Sequence, residues 1–179
     1  ANEILLSLTH RFGTDYSGSA DYSHEGEIDT QSLEVRKTTP TGEGIGWELE
    51  AEQAQSDTAT NTLVNGNFRH NARRVALHGS YSRAEGDSAT MNDLRLGIAG
   101  AVVSLGGTTT LTRPVTDSFG RVKIGEAEDV RVYVNGQTIG RTDSKGVAIL
   151  PAMNSHYDNQ VSFEDKDVPL EYLMPQVKM

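Results

Sequence analysis

Apolar and polar residues alternate with a period of two along most of the first 112 positions, the spacing of β-strands whose two faces meet different surroundings. Residues 44–53 are the clearest case: Ile45, Trp47, Leu49 and Ala51 share one parity, and Gly46, Glu48, Glu50 and Glu52 the other. The same alternation runs through EILLSLTHRF, which ends at Gly13, Thr14 and Asp15. In DYSGSADYSHEG it sets Tyr16, Gly18, Ala20 and Tyr22 against Ser17, Ser19, Asp21 and Ser23. IDTQSLEVRK follows and ends at Pro40 and Gly42, and TLVNGNFRH alternates more weakly. RRVALHGSYSR sets Val75, Leu77, Gly79 and Tyr81 against Arg74, Ala76, His78, Ser80 and Ser82, and DLRLGIAGAVVSLGG reads as one further strand. The pattern predicts about seven strands, joined by turns rich in Gly, Asp, Asn and Thr, with helix content near zero.

Near Arg113–Pro114 the segments become shorter and richer in valine: GRVKIGE, DVRVYVNGQTIGRT, GVAILPAM and NQVSFED. Asn135–Gly136 between two strand-like runs predicts a tight hairpin, because both residues tolerate positive φ. T-D-S-x-G occurs at 116–120 and again at 142–146. Both copies read as Asx-type turns, with Asp117 and Asp143 accepting backbone N–H groups and Gly120 and Gly146 at positive φ. The expected division is residues 1–116 and 117–179, the second a small β-sandwich.

Two settings suit strands of this kind. Segments of 9–11 residues are long enough to cross the hydrocarbon layer as tilted strands, with the apolar parity outward on lipid and the polar parity inward on water. A sheet whose apolar face packs on a second sheet has the same alternation. Tyr16, Tyr22, Trp47, Phe68 and Tyr81, on or near the apolar parity, would be interfacial girdle residues in the first setting and core or rim in the second. Alternation alone leaves both open.

Composition narrows the partners. A formal charge of −9 opposes nucleic acid and anionic surfaces, which Lys and Arg clusters neutralise. With no cysteine there is no disulfide or thiolate chemistry. The longest apolar stretch, around IAGAVVSL, falls far short of the roughly 18 residues of a spanning helix, so any bilayer crossing would use strands. ANEILLSLTHRF lacks a basic region followed by a sustained apolar run, and the chain reads as a processed or excised segment.

Candidate chemistry is sparse. Glu48, Glu50 and Glu52 share a strand face with neighbours roughly 7 Å apart, overlapping the carboxylate separation of inverting glycosidases. Three equivalent carboxylates on an open face do not drive their pKa values apart as acid and base roles require, so a solvated or channel-facing stripe is the better reading. His10, His24, His70, His78 and His156 show no metal-ligand spacing, and neither a nucleophile elbow nor a phosphate loop occurs. No enzyme, cofactor or metal site is expected.

In GRTDSKGVAILPAMNSHYDNQVSFED, Thr142, Asp143, Gly146, Ala148, Leu150 and Pro151, then Tyr157, Asn159 and Val161, follow in order, with DVPL at 167–170 after them. This series resembles a late segment of the fimbrial outer-membrane ushers of the chaperone–usher pathway. Upstream, GSYSR and RLGIAGAVVSLGGTTTLTRPVTDSFGRVKI look like the usher segment where the last barrel strands lead into a periplasmic domain. Ala152, Ser104 and Phe163 depart from the residues usual there. The resemblance implies an all-β chain: a portion of a large transmembrane antiparallel β-barrel (late strands, 1–116) followed by a small periplasmic β-sandwich (117–179, truncated). It implies residence in the bacterial outer membrane, with the C-terminal domain in the periplasm. The partners it implies are periplasmic chaperone–pilus subunit complexes and outer-membrane lipid, with no nucleotide, and the activity is assembly and secretion of those subunits. Seven strands are too few to close a bacterial barrel, which takes at least about eight, so the chain reads as a fragment. In this picture Glu48, Glu50, Glu52, Arg69, Arg74 and His78 face the lumen. The alternatives are a soluble all-β adhesin or carbohydrate-binding module and, third, a β-sheet glycoside hydrolase.

Overall fold

The alternating segments form strands in the computed structural model, which describes residues 3–169. Seven long strands come first: β1 (Glu3–Phe12), β2 (Tyr16–Glu25), β3 (Ile28–Lys37), β4 (Gly44–Gln55), β5 (Thr60–Asn71), β6 (Ala76–Gly86) and β7 (Ala89–Ala99). They make one sheet in sequence order, an open meander with β1 and β7 at its edges. Seven short strands follow: β8 (Ala101–Leu105), β9 (Thr108–Thr112), β10 (Ser118–Lys123), β11 (Arg131–Val134), β12 (Gln137–Arg141), β13 (Val147–Met153) and β14 (Val161–Phe163). They pair as β8–β9, as β10–β13 and as β12–β11–β14. The one helical element among the described residues is a 3-10 turn at Asp165–Asp167.

Two compact units result. The first holds the described residues up to Thr39, with Ile45–His70 and Leu77–Gly97. The second holds Pro40–Gly44, Asn71–Ala76 and the described chain from Ile98 on. Leu170 of the DVPL stretch and the remainder of the 117–179 segment lie outside the described residues.

DLRLGIAGAVVSLGG is not one strand. Parity continues numerically through Ile98, Gly100 and Val102, yet the pairing stops at Ala99 and restarts at Ala101. Beyond Gly100 the chain makes its own hairpin with β9, turning through Gly106 and Gly107 at φ 60° and 75°. Period-two spacing reports the face of a residue but not its partner strand, so the change of partner left no mark in the pattern.

The second unit has a conventional core. Val132, Val134, Ile139, Ala148 and Leu150 are buried together, with Val122, Ile124 and Met153 packed against them. Ala127, Val130 and Val168 form a second cluster. Burying a side chain of this size is worth about 1.5–3 kcal/mol. Asn135 and Gly136 turn the β11–β12 hairpin at φ 51° and 79°, the twist that an Asn-Gly pair supplies.

The two T-D-S-x-G copies have different conformations. In the second, Asp143 Oδ1 accepts the Lys145 and Val147 N–H groups at 2.9 and 3.0 Å, and Gly146 has φ 67°, as expected of an Asx turn. In the first, Ser118 and Gly120 lie inside β10, and Asp117 accepts the Ser155 N–H at 2.7 Å and the Ser155 hydroxyl, 38 positions away. These bonds hold the Asp117 carboxyl below the usual carboxylate range. Pairing with β13 draws that copy into a sheet, a tertiary effect that overrides turn propensity.

The spaced residues from Thr142 to Val161 owe their order to this architecture. Buried Thr142 donates its hydroxyl to the Ala127 carbonyl at 2.6 Å and accepts the Val130 N–H at 2.9 Å. Ala148 and Leu150 point into the core and Pro151 is buried beside them. The Asn159 amide ties its loop by donating to the Asn154 and Tyr157 carbonyls at 2.7 and 3.0 Å. Arg131 clamps the 3-10 turn, donating from Nε and Nη2 to the Asp167 carboxylate at 2.6 and 3.0 Å. That bidentate bond holds the Asp167 carboxyl at about 2 and raises Arg131 further.

Candidate functional site

The largest feature is the long sheet itself, whose two faces have opposite chemistry. Residues directly opposite on neighbouring strands share a face. On one face the pairing builds rows: Arg11, Ser17, Arg36 and Glu48; then Thr9, Ser19, Glu34 and Glu50; then Ser7, Asp21, Ser32 and Glu52. On the other face the rows are Phe12, Tyr16, Lys37 and Trp47; then His10, Gly18, Val35 and Leu49; then Leu8, Ala20, Leu33 and Ala51.

The polar face is held by its own bonds. Arg36 Nε donates to Ser17 Oγ at 3.0 Å and lies 3.6 Å from the Glu34 carboxylate. Asn65 donates to Glu50 at 3.0 Å, and Ser7 donates its hydroxyl to Asp21. Glu34 and Glu50 stand directly opposite one another, an arrangement that like charges tolerate only with water or a cation at hand. Arg36, opposite Glu48 and beside Glu34, is that cation.

The expected site residues divide as follows. Glu48, Glu50 and Glu52 lie half-buried on this face in three successive rows. Exposed Arg69 has the parity of Asn65 in β5. The exposed His78 lies over Gly97 of β7, where an added Cβ would fall 2.2 Å from the imidazole. Arg74 does not stand on a strand; it lies in the 72–75 connection, within the second unit, because β6 begins only at Ala76. Sequence reasoning passed over Glu34, Arg36, Ser17 and Asn65. The alternation of Ser32, Glu34 and Arg36 with Leu33 and Val35 was the available signal.

The apolar face is bare. Leu8 and Leu96 are each 71% exposed, and Ile4, Leu6, Leu33, Leu49, Leu94 and Ile98 are exposed as well. Along one row Tyr16 meets Trp47 edge-on at 6.4 Å between ring centres, and the Lys37 ammonium lies 5.7 Å from the Tyr16 ring. Toward the other strand ends Tyr22 and His24 both bond Asp29, at 2.6 and 2.9 Å. Monomeric soluble proteins rarely expose contiguous apolar surface beyond a few hundred Å². Among the described residues no helix is long and apolar enough to cross a membrane, and no group of three or more acidic or imidazole side chains is poised to hold a metal.

The family described as outer membrane usher protein matches residues 3–175. The chain belongs to that family. The usher resemblance carried by the Thr142–Val161 series therefore holds. Outer membrane usher proteins HifC of Haemophilus influenzae, three sequences in all, are each 28% identical over 166 residues, covering 93% of this chain and 19% of theirs. The chain thus spans about a fifth of the length of the curated relatives it matches. Its usher membership rests on nearly the whole of its sequence.

Proposed function

We propose that the chain is a late part of a fimbrial outer-membrane usher: residues 1–116 contribute strands to a large transmembrane β-barrel, and residues 117–179 form a periplasmic β-sandwich. The whole protein would receive chaperone-delivered pilus subunits, promote their strand-exchange joining and pass the fibre outward through its pore. Each joining step completes one subunit's sheet with a strand from the next, so backbone pairing supplies the driving force without a nucleotide.

The observation that carries this reading is the bare apolar face on strands of 10 to 12 residues. That length suits a tilted crossing of the hydrocarbon layer, and the Phe12–Tyr16–Lys37–Trp47 row suits its interface, with aromatic rings at headgroup level and a lysine reaching toward water. The opposite face, with Glu48, Glu50, Glu52, Arg69 and His78, would line the lumen, where fixed charge keeps a wet, unsticky wall toward a moving subunit. Arg74 would lie at the strand ends. A soluble adhesin would need a second sheet over the leucines.

Trp47 is the only tryptophan, which makes the test direct. In bilayers containing brominated lipids its fluorescence is expected to be quenched strongly, while aqueous iodide leaves it nearly unchanged. Quenching by iodide alone would place the indole in water and end the barrel reading.

A further inference from the structure

The second unit contains a small cavity of about 50 Å³ at which four arginines converge: Arg73, Arg74, Arg113 and Arg141, with Glu43 and Asp143. Three of the four guanidiniums are already committed. Arg73 donates to Asp129 at 3.3 Å and to the Thr142 carbonyl at 3.4 Å, and lies 3.7 Å from Glu43. Arg141 donates to the Asp129 carboxylate at 3.0 Å and to its carbonyl at 2.9 Å. Arg113 donates to the Thr41 and Ile139 carbonyls. Arg74 has neither a hydrogen-bond nor an ion-pair partner among the described residues. The Asp143 carboxylate is occupied by the backbone of its own turn.

One cation is therefore left over at an arginine-rich cavity in a chain of net charge −9. Leu111 and Ile149 form part of the wall, and low-polarity surroundings strengthen any charge pairing made beside them. The volume is a few times the roughly 10–15 Å³ that one water needs, so it admits a small polyatomic group.

We propose that this cavity is an oxyanion site for a single phosphate group, closed by the Arg74 guanidinium. The planar fork of arginine matches phosphate oxygens in pairs, and charge-assisted bonds of that kind are about twice as strong as neutral ones. Inorganic phosphate and the phosphodiester of an anionic phospholipid offer the same chemistry. The lipid source rests on the outer-membrane reading above; the free ion does not.

The test is calorimetric titration of inorganic phosphate into the full chain in non-ionic detergent micelles at low salt. Saturable binding is expected, weakened at least about tenfold by Arg74→Gln and only partly by Arg74→Lys. Arg95→Gln, on the long sheet, should leave it unchanged. Arg74 is exposed, so the variants should keep the wild-type near-ultraviolet spectrum. Repeating the titration in nanodiscs containing phosphatidylglycerol separates the sources: an Arg74-dependent loss of phosphate affinity identifies the lipid headgroup, and unchanged affinity identifies the free ion. The proposal is overturned if phosphate shows no saturable binding in detergent, or if wild type and Arg74→Gln bind equally. Trp47 quenching reports on the bilayer reading independently of either result.

Discussion

Leu150 and Leu49 carry the same side chain in opposite circumstances: the first is 1% exposed in the core of the second unit, the second 57% exposed on the long sheet. The contrast extends across the molecule. Every buried hydrophobic residue among those described, from Ala76 to Val168, belongs to the second unit, and so do the buried polar residues Asn71, Thr112, Arg113 and Thr142. The first unit has seven strands and no core of its own. Charge divides in parallel, since the first unit carries 6 basic and 14 acidic side chains, leaving 10 and 11 for the second. One unit is stabilised by burying its apolar groups against each other. The other keeps its strands together by backbone pairing and offers its leucines to whatever surrounds it. In hydrocarbon such an apolar face would need no protein cover, but the two open edges at β1 and β7 would need further strands to pair their backbone groups.

The comparison can be broken at several points. Leu150→Ala should cost about 2–5 kcal/mol in chemical unfolding of the second unit, because it leaves a cavity among Val132, Val134 and Ile139. Leu49→Arg should cost about 2–4 kcal/mol when the chain unfolds from a bilayer. A change within about 0.5 kcal/mol, ordinary for exposed sites in water, would mean that the face meets no lipid.

The Arg131–Asp167 clamp sharpens the contrast through pH. The Asp167 pKa is lowered to about 2 in the folded chain, against about 3.9 for an unperturbed aspartate. Its stabilisation is therefore complete above the unfolded value and is lost as pH falls from about 4 to about 2. Melting curves should show this decline, and Asp167→Asn should remove its share of it. The smallest stability effect is expected on the polar face: reversing Glu48, Glu50 and Glu52 to lysine should change unfolding by no more than about 0.5 kcal/mol per site. In a complete usher the same variant should shift pore ion selectivity and reduce surface fimbriae. Unchanged conductance and fimbriation would remove the proposed lumen role of the stripe.

Much of the fold was legible in local chemistry. The parity of residues 45 to 52 put Trp47 and Leu49 opposite the glutamates before any partner strand was known, because consecutive side chains in a strand must alternate. Asn135–Gly136 and T-D-S-K-G acted as turns because their backbone preferences are satisfied within a few residues. The ordered series from Thr142 to Val161 carried the family, and several of its members have structural tasks: Thr142 and Asn159 tie loops, Asp143 and Gly146 form a turn, and Ala148 and Leu150 fill the core.

Other features depended on distant partners and left no local mark. Only the tertiary structure set Arg36 opposite Glu48, moved Arg74 off the strand face, broke the strand pairing at Gly100 and drew Ser118, Phe119 and Gly120 of T-D-S-F-G into β10. It also joined Arg131 to Asp167, 36 positions apart. The alternation of side chains is a property of each strand alone, whereas register, partner choice and burial are settled by hydrogen bonds and packing between segments far apart in the chain.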